Sequence, residues 1–490
     1  MPYSILHISD LHRSPTDPIS NDELVSALIG DRARYINEEP QVRAPDAIIV
    51  SGDIIQGVPL GTSNYAVELA QQYATAEAFL DELTNRILGG DRSRVVIIPG
   101  NHDIDWNTAL SAMSLVSAGD EPKDVAGELH REGSSLRWDW RNRQLYRIVD
   151  EDAYAARLDA FWTFFGRFYH GVQNLLHVTP KADYNLFSLM GHKIGVAAFN
   201  SCEGNDCFAS HGLIKREAIA RSHLEMDDSG HPFQLRIAVW HHSIEGPPYR
   251  TDYMDIDIVR GMIGRGYRLG LYGHQHRAQA IAQEIYLPDR ERMAAVCAGS
   301  LCAGRRELPV GTYRQYNVLE IADDFRSVRV HVRSMSVANL FGRTPLGDFG
   351  GATYATLEWT PPKTAGGSVA TPVAQYANRE IEEAEAALKS DDARKALQLL
   401  ADVDRVPGSY ARRLYLEAAH KMGDWRALVT EINPPNTIDE LMYLLDAYSQ
   451  SGDFRRARES LDQFSGALEL PQETQQIFRQ RLDAEEKMRA

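Results

Sequence analysis

Long apolar runs are missing from this chain. Charged or polar residues interrupt every hydrophobic stretch before it reaches the roughly 20 residues that span a bilayer, and the opening "MPYSILHISDLH" has no basic segment ahead of an apolar one. The expectation is a cytoplasmic protein with no membrane association. Cysteine is scarce too, and four in 490 residues are too few for a disulfide framework. Cys202 and Cys207, like Cys297 and Cys302, have four residues between them, at the loose end of zinc-knuckle spacing. The second pair brackets the small-residue run "AGSL" beside an apolar strand, so buried thiols are the expected reading. Positive charge is also in deficit: 52 lysines and arginines against 68 acidic residues leave a net charge of -16. That excludes broad, non-specific adhesion to nucleic acid or anionic membrane, but leaves room for a local cationic site such as bound metal ions would make.

The 43% of hydrophobic and 24% of charged residues fit a folded protein, and 490 residues are too many for one hydrophobic core. The first hundred residues alternate strand and helix. "YSILHIS", "DAIIVSGD" and "RVVIIPGNHD" read as strands separated by the helices "NDELVSALIGDRARYINEE" and "NYAVELAQQYATAEAFLDELTNRIL", which implies βαβ units and a parallel sheet. Residues 104–182 break the rhythm with the aromatic-rich "LRWDWRNRQLYRI" and "AFWTFFGRFYHGV", expected as a helical insertion near the sheet edge or over the site. Strands resume in "YNLFSLMGHKIGVAAFNS", with a hairpin turn at Gly191-His192, and continue through "FQLRIAVWHH", "YRLGLYGHQH", "RMAAVCAGSL" and "QYNVLEIADDFRSVRVHVRSM". Residues 341–377, rich in Gly, Thr, Pro and Ala, read as a linker or extended crossing after a first domain of residues 1–340. Residues 378–490 are helical, and "SDDARKALQLL", "MGDWRALVTEI" and "SGDFRRARESL" place Asp392, Asp424 and Asp453 at near-regular intervals. The spacing suits stacked helical hairpins resembling tetratricopeptide repeats, with a plain helical bundle as the alternative.

The strand ends carry the chemistry. The first ends in "SDLH", with Asp10 and His12; the second in "SGD", with Asp53; the third in "GNHD", with Asn101, His102 and Asp103. Later, "VWHHS" supplies His241 and His242, and "LYGHQH" supplies His274 and His276. The carboxyl ends of parallel strands line one edge of a sheet, where such folds place their ligands. Alternate residues of an extended segment point the same way, so Asp10 with His12, and His274 with His276, can each present two side chains to one cluster. Imidazole nitrogens, carboxylate oxygens and an amide oxygen, with no thiolate, are donors that borderline divalent metals accept.

The ordered set D-x-H, G-D, G-N-H-D, H and G-H-x-H resembles the calcineurin-like metallophosphoesterase superfamily over about residues 3–335, apart from the insertion. The resemblance implies an α/β fold, a four-layer α/β/β/α sandwich around two divalent metal ions, manganese first among them, with iron or zinc as alternatives. Carried over by position, Asp10, His12 and His276 would hold one ion and Asn101, His241 and His274 the other, with Asp53 bridging them. His242 is the alternative to His241. His102 would serve the leaving oxygen as acid, with Asp103 orienting its ring. Arg13 and Arg277 directly follow metal motifs and are either phosphate contacts or surface arginines. Asn200, at a position where relatives often carry a polar residue near the site, is either such a residue or a turn cap and is left out of the catalytic set.

The implied activity is phosphoester hydrolysis. A nucleotide or nucleic-acid phosphodiester is the first expectation, a phosphatase acting on phosphoprotein or phosphomonoester the second, and a catalytically silent scaffold the third. The helical tail would recruit a protein partner. The aromatic insertion could either stack on bases or pack in the core.

Overall fold

The computed structural model describes residues 2–489 except 118, 132, 245–251, 284–290, 304–307, 309–312, 337, 346–350, 360–379, 382, 386, 389, 391, 406–408, 433, 469 and 471. Two compact units emerge, one of residues 1–283 with 292–362 and the other of residues 284–291 with 363–490. Among the described residues no helix is long and apolar enough to cross a membrane.

The first unit opens with the expected alternation of β1 (Tyr3–Ile8), α1 (Asn21–Arg32), β2 (Ala47–Val50), α2 (Tyr65–Leu88) and β3 (Val95–Ile97). β1 pairs in parallel with β2, and β2 with β3; all three are buried along their length, as strands covered on both faces must be. A capping box between Ser20 and Glu23 starts α1. α2 turns Leu69, Tyr73, Ala76, Phe79, Leu80 and Leu83 inward at helical spacing.

The insertion follows as α3 (Trp106–Ser111), β4 (Met113–Leu115), α4 (Val125–His130), β5 (Leu136–Asp139), β6 (Gln144–Ile148), α5 (Glu151–Ala155) and α6 (Asp159–Phe168). This corrects the purely helical reading of residues 104–182, because β4, β6 and β5 form a small antiparallel sheet. The physical reason lies in "LRWDWRNRQLYRI". Its large side chains alternate along two short runs, and Asp139 caps the turn between them by accepting from the backbone N–H groups of Arg141 and Asn142. The second aromatic run is the helix α6, whose Phe161, Phe164, Phe165 and Phe168 are buried in the main core.

Next come β7 (Tyr184–Leu189), β8 (Ile194–Phe199), α7 (Arg216–Asp228), β9 (Leu235–Val239), α8 (Ile256–Ile263), β10 (Leu269–Tyr272), β11 (Gln279–Gln283) and β12 (Met293–Cys297). They are followed by β13 (Gln315–Ile321), β14 (Ser327–Met335), β15 (Phe341–Arg343) and β16 (Tyr354–Glu358). One sheet runs β15-β14-β13-β1-β2-β3, with β16 also on β14, and the other runs β11-β12-β10-β9-β8-β7. A continuous core draws Ile5 and Leu319 from the first sheet and Ile237 and Leu271 from the second. The helices lie outside, which gives the α/β/β/α layering.

The stretch read as a linker is also corrected in part. β15 and β16 are edge strands paired with β14, and Trp359 is buried with its indole N–H donating to the Phe325 carbonyl. "YATLEW" alternates apolar side chains toward the sheet despite its Gly- and Pro-rich surroundings. Residues 346–350 and 360–379, the rest of that expectation, lie largely outside the described residues.

In the second unit, helices run over Ala393–Leu399, Tyr410–Met422, Trp425–Ile432, Ile438–Gln450, Phe454–Phe464 and Gln472–Arg489. The three regularly spaced aspartates sit just ahead of helices. Asp392, Asp424 and Asp453 accept from the backbone N–H groups of Lys395, Ala427 and Arg456 at 3.0, 3.0 and 3.1 Å.

Candidate metal centre

The loops leaving β1 and β2 run side by side. The backbone N–H groups of Asp10 and His12 donate to the carbonyls of Gly52 and Asp53 at 3.1 and 3.0 Å. The second sheet joins them where the His274 N–H meets the Asp10 carboxylate, 3.1 Å from Oδ2. Asp10, His12, Asp53, His274 and His276 all take left-handed backbone angles, with φ between 43° and 74°. Such angles are uncommon outside glycine and cost on the order of 1–3 kcal/mol each, so the fold holds strain at the residues that the motifs single out. The motif glycines have a steric role. At Gly52, where φ is +95°, a Cβ would lie 2.5 Å from His241 Nδ1, and at Gly100 it would collide with the Asp53 carboxylate.

Donor atoms of Asp10, His12, Asp53 and His276 lie within 4.8 Å of one another. His276 Nε2 is 3.2 Å from Asp10 Oδ1 and 3.2 Å from His12 Nε2. Beside them is a second group, in which Asn101 Oδ1 lies 3.0 Å from His241 Nε2 and 2.9 Å from His274 Nδ1. Asp53 belongs to both, with Oδ2 3.3 Å from His241 Nε2 and 3.7 Å from His12 Nε2.

The chemistry of the donors fits cations. His241 Nδ1 faces the Ser51 carbonyl at 2.8 Å, which directs that nitrogen's proton outward and turns Nε2 into the cluster. Burial alone would pull His241 down, yet the Asp53 carboxylate outweighs it and holds this imidazole at about 9, so the site favours positive charge at that position. Burial, reinforced by His102, lowers His12 to about 3 and keeps its lone pair available. Burial opposes ionisation of Asp10, but His276 overrides it and keeps the carboxyl ionised.

His241, rather than His242, is the member of the adjacent pair that enters the cluster. His242 Nδ1 is engaged with Ser201 Oγ at 2.9 Å, and burial, then His274, keeps its ring neutral. The expected contact between Asp103 and His102 is replaced by another arrangement. His102 Nδ1 faces the Gln56 carbonyl at 2.7 Å, while Asp103 accepts from the N–H groups of Gly100 and Ile54 and from the Tyr73 hydroxyl. Asp103 is fully committed to clamping the 53–54 and 100–103 loops together. Burial, then the Asp53 charge, raises it to about 7.

Arg13 neither reaches a phosphate position nor lies on the surface. It is 1% exposed, ion-paired to Asp17 at 2.7 Å and bonded to Asn21 and the Ile19 carbonyl. Arg277 is half-buried, and Asn200 caps a turn through the Cys202 N–H. The cysteines are free thiols, Cys202, Cys297 and Cys302 being buried.

Sequence reasoning missed Asp252, whose Oδ2 lies 3.3 Å from Nε2 of His274, on the side of the ring away from the cluster. It also missed Ser201, whose hydroxyl accepts from the His241 N–H at 3.1 Å. Neither sits at a motif spacing.

A family model described as calcineurin-like phosphoesterase matches residues 3–278. The chain belongs to that family. As a calcineurin-like phosphoesterase it is a metal-dependent phosphoric ester hydrolase, and the donor set above fits two divalent cations. Among solved structures, it is similar to a dimetal phosphatase from Danio rerio, with 10% identity, 74% of this chain and 100% of that chain covered, and a TM-score of 0.38. It is likewise similar to a 5'-nucleotidase from Candida albicans (12% identity, 69% and 52% covered, TM-score 0.34). A third similarity is to the calcineurin-like phosphoesterase YfkN from Bacillus subtilis (11% identity, 81% and 98% covered, TM-score 0.29). Comparison with the curated proteins found no match.

Proposed function

We propose that this chain is a dinuclear phosphodiesterase acting on a nucleotide or nucleic-acid diester. In this reading Asp10, His12 and His276 hold one cation, Asn101, His241 and His274 the other, and Asp53 bridges them. The observation that carries it is the position of Asp53 Oδ2, within 3.7 Å of a histidine from each donor group. Nitrogen and oxygen donors without thiolate favour manganese, with iron or zinc as alternatives.

When bound, such a pair of cations supplies Lewis-acid charge and a hydroxide nucleophile near neutral pH. The chain's own residues set the rest. Gln56 fixes the His102 ring, whose Nε2 would donate a proton to the departing oxygen. Asp103 keeps the loop bearing Asn101 and His102 against Asp53, whose Oδ1 accepts from the His102 N–H at 2.8 Å.

A diester carries one negative charge where a monoester at neutral pH approaches two. The commitment of Arg13 to Asp17 and Asn21 removes one guanidinium that would have met the extra charge, which supports the diester. The second reading, a phosphatase directed to phosphoprotein or phosphomonoester by tetratricopeptide-like helices, is supported by the regular Asp-capped helices of the second unit. A silent scaffold is disfavoured by the complete donor set. The free thiols support a cytoplasmic setting.

The test is turnover of matched chromogenic mono- and diesters by metal-stripped protein refilled with manganese. Preference for the diester is expected, and preference for the monoester would favour the phosphatase.

A further inference from the structure

The hairpin of β5 and β6 is firmly anchored at its base. Arg137 ion-pairs with Asp206 and donates to the Tyr154 hydroxyl at 3.0 Å, and that hydroxyl donates to Asp206 at 2.6 Å. Tyr146, the register partner of Arg137, stacks on Phe208 with ring centroids 4.9 Å apart. Arg157 ties the same segment down by donating to the carbonyls of Asn205 and Glu203 at 3.0 and 2.7 Å. That segment follows Ser201, whose hydroxyl holds the His241 backbone. The hairpin is therefore rooted at the rim of the metal centre.

Its tip is equally well built and points to something outside the chain. Asp139 accepts from the N–H groups of Arg141 and Asn142 and from the Asn142 side-chain amide, and Arg143 completes the turn at φ 54°. This fixed turn presents Trp140 at 83% exposure, with Trp138 edge-on at 6.1 Å. Arg141 and Arg143 are exposed beside it. The Asp139 carboxyl that caps the turn is held below the usual range by the Asn142 N–H first, and it also feels the Arg141 charge. In a chain of net charge -16, two exposed guanidinium groups beside an exposed indole form a local cationic, aromatic surface. Guanidinium groups pair with phosphates and an indole face stacks on a base, the combination by which proteins hold single strands.

We propose that the hairpin tip, Trp140 with Arg141 and Arg143, is a docking platform for single-stranded nucleic acid that feeds the strand toward the metal centre. The platform itself stands on the hairpin geometry, and only the feeding clause rests on the phosphodiesterase reading. The four residues of β5 extend about 13 Å at about 3.3 Å each, so the platform grips nucleotides flanking the reacting phosphate rather than the phosphate itself.

The test uses the full, metal-loaded chain and a short fluorescent oligothymidylate with hydrolysis-resistant phosphorothioate links, followed by anisotropy across a salt series. Trp140→Ala is expected to weaken binding roughly tenfold or more, as loss of one stacked base does. Arg141→Gln with Arg143→Gln should flatten the dependence of log affinity on log salt by about 1.4, from about 0.7 per lost phosphate contact on a single strand. Both variants should hydrolyse a small chromogenic diester as the parent does. Oligonucleotide affinity equal to the parent's in both variants would overturn the proposal. So would binding to phosphatidylserine vesicles with none to the strand, which would make the tip a membrane contact. Strand binding that depends on Trp140 in a chain with no diester turnover would uphold the platform and overturn the phosphodiesterase reading. Diester turnover without strand binding would do the reverse.

Discussion

Nδ1 of His102 lies 2.7 Å from the carbonyl oxygen of Gln56. A carbonyl only accepts, so that nitrogen carries a proton and the ring is held with Nε2 available for chemistry. His102→Ala is expected to retain its cations, because His102 contributes no donor to either group. It should lose rate by about 10²- to 10⁴-fold, most severely for esters with poor leaving groups. Rates measured across a series of phenyl esters check this, and an equal loss for good and poor leaving groups would contradict the acid role.

Asp252 presents Oδ2 to the far side of the His274 ring at 3.3 Å. A carboxylate there favours the ring orientation that turns Nδ1 toward the cluster. Asp252→Asn is expected to weaken cation affinity by about 10- to 100-fold, read by titrating metal into stripped protein. Unchanged affinity would show that His274 is positioned without it.

A buried ion cluster joins α1 to the first sheet. Arg333 donates to both oxygens of Asp31 at 2.8 and 2.7 Å and to both oxygens of Glu38, while Tyr316 and Arg34 also donate to Asp31. Burial raises the Asp31 carboxyl, but Arg333 more than offsets this and leaves it below the usual range. A depressed carboxyl contributes stability that is fully present above its unfolded pKa and is lost as pH falls through the folded one. Asp31→Asn should cost about 3 kcal/mol at neutral pH, in the range for breaking a buried ion pair. The difference from the parent should shrink below about pH 4, near the unfolded value for aspartate. Thermal unfolding of both proteins from neutral to acid pH measures the gap, and a gap that widened on acidification would contradict the sign.

The donor set was legible because its physical demands leave marks in sequence. The glycines beside Asp53, Asn101 and His274 are where another side chain would strike the site, and alternate spacing in D-x-H and H-x-H brings two side chains to one point. The orienting group for His102 was illegible because Gln56 acts through its backbone carbonyl, which every residue has. Arg13 was misjudged because its partners, Asp17 and Asn21, are local and turn it into the core, which adjacency to a motif does not reveal. The hairpin from Leu136 to Ile148 was obscured by alternation over very short runs within a polar stretch. β16 was hidden in a segment whose glycines and prolines outweigh five strand residues.

The most direct measurement is metal content and diester turnover in parallel for the parent chain and Asp53→Ala, each stripped and refilled with manganese. A carboxylate shared between the two donor groups requires that the parent take up two ions per chain and hydrolyse the diester, while Asp53→Ala loses metal and turnover together. Retention of both ions and of activity by Asp53→Ala would contradict the bridged dinuclear centre.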